Sequence, residues 1–465
     1  MKRTNVIAVD LGASSGRLIS GSFDGERIIL KEHYRFSNHP VELLGSLYWD
    51  YLKIVQEIRH GLTYCQQDLG EIRSLDIDTW GVDYGLIGKN GQLLQAPYSY
   101  RDARSSKVLA EFSELVSPQK LFELTGTRLD AINSVVQLFA DLKQDATLQE
   151  RIAKVVYMPN LIKYFLSGQI STETTIASTS GLVDTQTAQA SRWLCDKLGF
   201  QPSWFDASKS AKLGTFSLAN GQVIQILNGV GHDTAAALCA LPIPTEKLKQ
   251  TAFISCGTWS IVGVQTPKPI TSQMAFEAGL TNEGCVGGHN RLLKNITGLW
   301  IIQELKQQWQ QKGQTYSFAQ LSELATAADF IGSFIDPNAS VFSNPADMET
   351  TIKTYLAQTK QKQPQDKGEL LRLVYESLAQ SYAKTLTLLE QVTGHQLEEV
   401  YLFGGGIQAE ILVDLTRKYT KRQVKLGPIE ASVLGNIVHQ LEILGEISQE
   451  NKTMVLNETY VTLKQ

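Results

Sequence analysis

The chain has 465 residues, of which 43% are hydrophobic and 19% are charged, a composition that excludes a disordered polypeptide or a coiled-coil rod. A net charge of −4, without a lysine- and arginine-rich block, argues against a nucleic-acid-binding protein. The longest apolar stretch, near 235–241, ends at Pro242 and is too short to cross a membrane. The first residues, MKRTNVIAVDLGASSG, lack the apolar core and cleavage site of a signal peptide. We therefore expect a cytoplasmic protein with no membrane or nucleic-acid partner.

The five cysteines lie far apart and form no Cys-x-x-Cys pair. This spacing fits neither a disulfide framework nor a zinc site. We expect free, buried thiols at Cys65, Cys195, Cys239, Cys256 and Cys285.

Two segments half a chain apart contain the same succession of parts. Segments 6–23 and 251–264 each run from an apolar stretch through a polar Gly/Ser turn into a second apolar stretch, which predicts a β-hairpin in each. Two copies of one hairpin indicate two related domains. Pro242, Pro244 and the polar residues after them favour a boundary at this point. The expected domains are therefore 1–242 and 243–465.

The other predicted elements alternate between strands and helices, which indicates an α/β fold. They are a strand at 74–87 with a turn at 88–94, helices at 108–116 and 134–144, a strand, glycine turn and helix across 398–419, a strand at 422–428 and a helix at 430–444.

The turns of the two predicted hairpins are candidate phosphate sites. Asp10 ends the first apolar run and is followed by LGASSGR, whereas the second turn reads SCGTWS over 255–260. Glycines let backbone N–H groups approach phosphate oxygens, and an acidic residue at a strand end can bring a metal ion to them. Two such turns would hold a triphosphate, although ordinary Gly-rich hairpins remain the alternative. No GxxxxGK[ST] or GxGxxG sequence occurs, which disfavours P-loop and Rossmann sites.

Segment 231–234, GHDT, joins an apolar run to small residues typical of a helix. Asp233 is a candidate general base in this position. A helix N-cap role for Asp233 or Thr234 is an equally sufficient explanation.

Two further glycine segments could approach a ligand. In DTWGVD, residues 78–83, Gly81 permits close approach and Trp80 offers an apolar face, although tryptophan is more often a core residue. Gly404–Gly406 follow a predicted strand, where an adenine ring could lie against the backbone or a simple tight turn could form.

Taken together, these motifs resemble the FGGY family of carbohydrate kinases and, within it, the rhamnulokinase branch with its L-fuculokinase relatives. The matching segments follow one another along nearly the whole chain: DLGASSGR, DTWGVDYGL, YRDARS, GHDTAA, CGTWSIVG, LTNEG, LLKNITGLW and GGGIQ. The resemblance implies an actin/hexokinase-like fold of two RNase H-like α/β domains with a catalytic cleft between them. It implies transfer of the γ-phosphoryl group of ATP, with Mg²⁺, to the 1-hydroxyl of a 6-deoxy-L-ketohexose. L-Rhamnulose is the first choice, with L-fuculose as the alternative and, after it, a pentulose as for other FGGY kinases.

The resemblance also assigns roles to individual residues. It implies that Asp233 is the catalytic base and that Asp10 holds magnesium through water. The implied phosphate and nucleotide contacts are Ala13, Ser14, Ser15, Gly16, Arg17, Thr258, Gln303 and Gly405. The implied sugar contacts are Gly81, His232, Asp233, Thr234 and Asn295.

Three positions depart from the pattern of the family. Ala409 follows Gln408 where the family usually has Asn, which affects an adenosine-side contact, and Cys256 and Cys285 stand where the branch usually has Ser and Gly. A non-kinase actin-like ATPase is the alternative from another class, but it would need no base for a sugar acceptor. The sequence leaves a monomer and a homodimer equally open.

Overall fold

The structure, a computed structural model, describes residues 3–463. The strands are β1 (Thr4–Leu11), β2 (Ser15–Phe23), β3 (Ile28–Ser37), β4 (Val41–Leu43), β5 (Ser46–Tyr48), β6 (Ser74–Thr79), β7 (Tyr84–Gly88), β8 (Ile152–Tyr157), β9 (Lys212–Ser217), β10 (Val223–Leu227), β11 (Thr251–Cys256), β12 (Trp259–Thr266), β13 (Thr281–Gly284), β14 (Asn290–Thr297), β15 (Glu399–Phe403) and β16 (Gln423–Leu426).

The α-helices are α1 (Tyr51–Asp68), α2 (Arg104–Leu115), α3 (Pro118–Thr125), α4 (Ser134–Gln144), α5 (Leu148–Arg151), α6 (Met158–Ser167), α7 (Thr174–Ala177), α8 (Arg192–Leu198), α9 (Asp233–Cys239), α10 (Gln273–Glu277), α11 (Trp300–Gln311), α12 (Phe318–Ala327), α13 (Met348–Gln358), α14 (Lys367–Thr393), α15 (Glu410–Thr420), α16 (Ala431–Ile443) and α17 (Lys452–Leu463). Short 3₁₀ turns lie at Ser178–Ser180, Pro202–Phe205, Thr245–Gln250, Val286–Gly288, Ser340–Phe342 and Gly405–Gln408.

The chain forms two compact units, each built from separate stretches of sequence. The first unit contains the chain up to Pro242, the segment Pro267–Arg291 and the chain from Ala431 onward. The second contains Ile243–Thr266 and Leu292–Glu430. The sequence analysis proposed one boundary after residue 242, and that domain division stays a prediction.

The first unit is organised around a sheet with the strand order β3-β2-β1-β6-β10-β9. β1 pairs antiparallel with β2 and parallel with β6, and β6 pairs parallel with β10. β1 and β6 are almost continuously buried, as expected for central parallel strands covered on both faces. Their apolar side chains pack against α1 and α6 in one core.

The second unit repeats this pattern of pairing. Its strands β14, β12, β11, β15 and β16 lie side by side in this order. β11 pairs antiparallel with β12 and parallel with β15, which pairs parallel with β16. The α/β class and the repeated hairpins predicted from the sequence are therefore confirmed.

α16 packs on the sheet of the first unit, although it lies near the end of the chain. Gly435 lets α16 approach α9 so closely that any Cβ there would overlap the carbonyl oxygen of Ala236. The Gln440 side chain donates to the Ile7 carbonyl at 2.8 Å and accepts from the Ser74 hydroxyl at 2.7 Å. α16 is thereby anchored to the middle of β1 and the first residue of β6.

Two general expectations can be compared with the structure. All five cysteines are buried and none forms a disulfide. In the part of the chain from 3 to 463, no helix combines the length and apolar character needed to cross a bilayer.

Candidate active site

Three carboxylates follow parallel strands of the first unit. Asp10 in β1 is level with Asp78 in β6, and after β10 the chain enters α9 at Asp233. The carboxyl ends of neighbouring parallel strands form the usual ligand-binding edge of an α/β sheet. Asp10 and Asp78 are buried, whereas 35% of the Asp233 side chain is exposed. Asp233 is therefore the carboxylate of the three that a ligand reaches most easily.

The side chain of His232, not that of Asp233 or Thr234, caps α9. The Nδ1 atom of His232 accepts from the Thr234 amide at 3.2 Å. Oδ1 of Asp233 accepts from the same amide at 2.5 Å and from the Thr234 hydroxyl at 3.1 Å. No hydrogen-bond donor among residues 3–463 reaches Oδ2 of Asp233. Asp233 and Thr234 are thus the first two residues of α9 and do not occupy its N-cap position, and one carboxylate oxygen of Asp233 is left to accept a proton.

The surroundings raise the pKa of Asp233 and lower that of His232. Desolvation raises the pKa of Asp233, as does the nearby Asp10 carboxylate, while His232 and the Thr234 hydrogen bonds oppose the rise. Desolvation and the positive charge of Arg291 lower the pKa of His232, so the imidazole is neutral near pH 7. Burial, strengthened by Asp10, also raises the pKa of Asp78 well above its usual range.

The start of α7 fixes the backbone of the GHDT segment. The Glu173 carboxylate accepts from the Gly231 amide at 3.1 Å, and Oγ1 of Thr175 accepts from the amides of Gly231 and His232 at 3.2 and 3.1 Å. From the other side, the Thr79 amide donates to the Gly231 carbonyl at 2.9 Å. These bonds hold His232 and Asp233 in place by their own main chain.

Gly81 follows β6 and faces the His232 ring. A Cβ on Gly81 would lie 3.1 Å from Nε2 of His232 and 3.0 Å from Oγ1 of Thr179. The next residue, Val82, has a φ of +69°, a strained conformation for a β-branched side chain. Its amide donates to Thr179 at 3.0 Å and its carbonyl accepts from Ser134 at 2.5 Å. The backbone is therefore held under strain beside Gly81, where the absence of a side chain permits the close approach of Thr179 and His232.

The turn of the first hairpin presents free backbone N–H groups. The Gly12 amide donates to the Ser15 carbonyl at 2.8 Å, while the main-chain and side-chain amides of Asn38 donate to the carbonyls of Ser14 and Gly12 at 2.9 and 2.8 Å. The amides of Ala13 and Ser14 donate to no other residue in the described range. Successive free N–H groups of this kind form an anion-binding site.

The three other implied phosphate residues of this hairpin, Ser15, Gly16 and Arg17, lie in β2. Arg17 is opposite Asp10 in the antiparallel pair and forms an ion pair with its carboxylate. Gly16 lies under the Phe36 ring, which any Cβ would strike. The predicted residues Asp10 and Ala13 to Arg17 thus belong to one hairpin, formed by β1, β2 and the turn between them.

The carboxylates beside this turn suit a hydrated cation. Oδ2 of Asp78 accepts from the Asn436 side chain at 2.6 Å, and its Oδ1 has no hydrogen-bond partner among the described residues. Between residues 3 and 463, no three His, Cys, Asp or Glu side chains are arranged to hold a metal ion directly. Mg²⁺ usually keeps several waters and binds one or two carboxylates together with substrate phosphates. The residues present therefore fit a magnesium ion that Asp10 holds through water.

In the second unit, the turn between β11 and β12 is tied to the start of α11. The carbonyls of Gly257 and Thr258 accept from the amides of Leu299 and Trp300 at 3.0 and 3.1 Å. Thr258 is exposed, and Gln303 lies in the first turn of α11. The structure therefore brings these two predicted nucleotide contacts to the same end of the second sheet.

The three glycines after β15 pack against that same hairpin. Gly404 has a φ of +85°, and a Cβ there would lie 2.9 Å from the carbonyl oxygen of Cys256. A Cβ on Gly406 would lie 2.7 Å from the Cβ of Cys256, whereas Gly405 has open space around it. Gly405 is thus the glycine whose backbone a ligand could approach, whereas Gly404 and Gly406 pack against Cys256.

Three other sequence-derived positions have the following surroundings. Asn295 is an exposed residue of β14 in the second unit, and no described hydrogen bond joins it to the residues above. Ala409 begins α15 as its N-cap and offers no side-chain cap. Cys285 is buried in the first unit, where its thiol lies close to Arg291.

Comparison with known protein families identifies this arrangement. The model of the N-terminal domain of the FGGY family of carbohydrate kinases matches residues 5–238, and that of the C-terminal domain matches residues 252–441. The chain belongs to the FGGY family of carbohydrate kinases. As an FGGY kinase, it is a sugar kinase that uses ATP as phosphate donor, which excludes the non-kinase alternative.

Full-length relatives of this FGGY kinase include proteins named rhamnulokinase. The rhamnulokinase of Bacteroides thetaiotaomicron is 35% identical over 96% of this chain and 92% of its own length. That of Halalkalibacterium halodurans is 36% identical over 95% of this chain and 94% of its own length.

Solved structures of other FGGY kinases have the same fold at low sequence identity. A xylulose kinase from Lactobacillus acidophilus aligns with a TM-score of 0.78 at 13% identity, over 98% of this chain and 92% of its own. Plasmodium falciparum glycerol kinase aligns with a TM-score of 0.78 at 14% identity over the same shares. The predicted fold class is therefore confirmed.

Sequence reasoning missed several residues that complete the site of this FGGY kinase. Asp78, Glu173 and Thr179 contact or lie beside the predicted residues, and Arg291 and Glu283 support His232. Asp78 could have been found, because it alternates with Asp76 in a buried strand. Arg291 lies 59 residues from its partner His232, so no local pattern reveals it.

Proposed function

We propose that this FGGY kinase transfers the γ-phosphoryl group of ATP to the 1-hydroxyl of L-rhamnulose, with Mg²⁺ as the metal ion. Its similarity to full-length rhamnulokinases supports the choice of sugar. The observation that carries the chemistry is the position of Asp233, which has one unpartnered carboxylate oxygen and directly follows a neutral imidazole that faces Gly81.

Asp233 acts in this proposal as the general base. The 1-hydroxyl is a poor nucleophile, and a carboxylate within hydrogen-bond reach accepts its proton as the phosphoryl group arrives. A raised pKa makes Asp233 a stronger base than an ordinary surface aspartate. Gly81, His232, Thr234 and Asn295 would contact the sugar.

The two hairpin turns would neutralise the negative charge of the phosphates. The free amides at Ala13 and Ser14, the Ser15 and Thr258 hydroxyls, Gly16 and the Arg17 guanidinium would surround the phosphates. Gln303 and the open face of Gly405 would contact the nucleotide. Asp10 would hold Mg²⁺ through water, and the bound ion supplies positive charge to the phosphates.

We also propose that the protein acts in the cytoplasm in sugar catabolism, as a monomer or a homodimer. A reduced compartment agrees with the five unpaired cysteines.

The substrate is tested by ADP release from the purified protein with a panel of acceptors. We expect kcat/KM to be highest for L-rhamnulose, lower for L-fuculose, and lower again for D-xylulose and glycerol. A maximum for glycerol or D-xylulose would overturn the proposed sugar, while the dependence of turnover on added Mg²⁺ tests the metal.

A further inference from the structure

The imidazole of His232 faces two obligate donors through the same nitrogen. Nη2 of Arg291 lies 2.9 Å from Nδ1, and the Thr234 amide lies 3.2 Å from it. A guanidinium and a backbone amide can only donate. Nδ1 must therefore accept, which places the proton of the neutral ring on Nε2.

Glu283 keeps Arg291 in this position. Its carboxylate forms an ion pair with the fully buried guanidinium, including a bond from Nε at 3.1 Å, and the Gly284 carbonyl accepts from Nη1 at 2.8 Å. Burial tends to raise the pKa of Glu283, but Arg291 and His232 lower it below its usual value, so the carboxylate stays ionised. An ionised partner fixes the guanidinium fork against the imidazole.

The one group that favours a proton on Nδ1 is farther away. Oδ1 of Asp233 lies 3.4 Å from Nδ1, and the Thr234 amide and hydroxyl already donate to it. Nη2 of Arg291, at 2.9 Å, and the Thr234 N–H, which is shared with Asp233, both lie closer to Nδ1 than this single acceptor and outweigh it.

The opposite edge of the ring, which carries Nε2, faces Gly81. Nε2 would lie 3.1 Å from a Cβ at Gly81, and no residue between 3 and 463 accepts a hydrogen bond from it. We infer that Arg291, held by Glu283, is a positioning residue that fixes His232 as the Nε2–H tautomer. His232 then donates a hydrogen bond to an acceptor oxygen of the sugar and leaves proton acceptance to Asp233. This inference rests on the proposed function, because it takes the sugar to lie beside Gly81.

The tautomer can be observed without any substrate. Long-range ¹H–¹⁵N spectra of the protein with ¹⁵N-labelled histidine distinguish a protonated from an unprotonated ring nitrogen, and the resonance missing in His232→Gln identifies His232. We expect Nε2 to be protonated and Nδ1 to be an acceptor. A protonated Nδ1 facing Asp233 would overturn the inference whatever sugar the enzyme uses.

Two substitutions of His232 then test the direction of the sugar contact. Gln places an amide donor near the position of Nε2, whereas Asn places its polar atoms near Nδ1. Loss of one neutral hydrogen bond corresponds to about a ten-fold change in affinity. We expect the KM for sugar to rise about ten-fold in His232→Asn and much less in His232→Gln. Equal KM values for the two variants would contradict a donor at Nε2.

The role of Arg291 is tested by removing both buried charges together. Arg291→Met/Glu283→Gln avoids an unpaired charge, and its folding is checked by circular dichroism. We expect the His232 spectrum to lose the single Nε2–H tautomer and the sugar KM to rise while the ATP KM stays unchanged. An unaltered tautomer in the folded double variant would overturn the positioning role. If wild-type protein shows the expected tautomer but phosphorylates no ketose, the proposed function fails and the tautomer assignment stands.

Discussion

The two units present different chemistry at corresponding ends of their sheets. In the first unit, Asp10, Asp78, Asp233 and Arg291 are charged or ionisable side chains, each held by hydrogen bonds or an ion pair. In the second, the candidate contacts are a hairpin turn, an open glycine and two uncharged side chains, Thr258 and Gln303. A proton acceptor must have a fixed position and a tuned pKa, whereas a nucleotide can be held largely by backbone. In the proposed function, the first unit therefore supplies the catalytic base, and the second unit contacts the nucleotide mainly through backbone and uncharged side chains.

The largest effect is expected from removing the catalytic base of the first unit. Asp233→Asn keeps the shape of the side chain but cannot accept the hydroxyl proton, so we expect kcat to fall by roughly 10²–10⁴-fold. Steady-state ADP release measures the change. Asp366→Asn is the matched control, because Asp366 caps α14 through the Glu369 amide at 2.9 Å and asparagine caps equally well. A similar loss in both variants would contradict a specific role for Asp233.

A methyl group at Gly81 tests the contact made by Nε2 of His232. The new Cβ would lie 3.1 Å from Nε2 and 3.0 Å from Oγ1 of Thr179, so it would crowd the atom inferred to donate to the sugar. We expect Gly81→Ala to raise the sugar KM about ten-fold, equivalent to ~1.4 kcal/mol, and to leave the ATP KM unchanged. Gly70→Ala is the control, because nothing lies within 4 Å of a Cβ there. An unchanged sugar KM in Gly81→Ala would place the sugar elsewhere.

Two neighbouring glycines separate binding from folding in the second unit. Gly405 has open space, so Gly405→Ala should fold normally and raise the ATP KM several-fold by keeping the nucleotide away from the backbone. Gly406→Ala would press on Cys256 and should instead lower thermal stability. ATP KM values and melting curves of both variants check this. Normal ATP KM in Gly405→Ala would show that the open face binds no nucleotide.

The smallest expected effect concerns the start of α15. Ala409 is its N-cap with φ −83° and ψ 90°, and no side chain bonds to the first helical amides. Asn at this position should stabilise the helix by about 1 kcal/mol. Thermal unfolding of Ala409→Asn should show a small rise in the midpoint, with Ala409→Ser as a second capping residue. A lower midpoint for both would contradict the capping argument.

The parts of this fold that depend on local sequence were predictable. Apolar runs around a Gly/Ser turn predict the hairpins β1–β2 and β11–β12, and helical periodicity predicts α4 and α16. Periodicity does not reveal what a helix packs against. The return of α16 to the first sheet depends on Gly435 and Gln440 meeting residues roughly 200 and 430 positions earlier, which no local pattern encodes.

The candidate site likewise contains residues that local sequence predicts and contacts that it does not. Motifs identified Asp10, Asp233 and Gly81, because each stands at a strand end beside glycine or a helix start. They did not identify the imidazole as the cap of α9, since His is an unusual N-cap and its role depends on the approach of Arg291. Neutral His232 and ionised Glu283 are likewise consequences of burial and pairing that only the folded chain creates.

The central claim is that Asp233 accepts a proton and does not chiefly hold the sugar. Calorimetric titration of L-rhamnulose into folded Asp233→Asn protein, with a non-hydrolysable ATP analogue present, tests this most directly. The account predicts a sugar Kd within about three-fold of that of the wild type, despite the loss of turnover. A Kd that rises by the same factor as kcat falls would contradict it, because Asp233 would then be a binding residue.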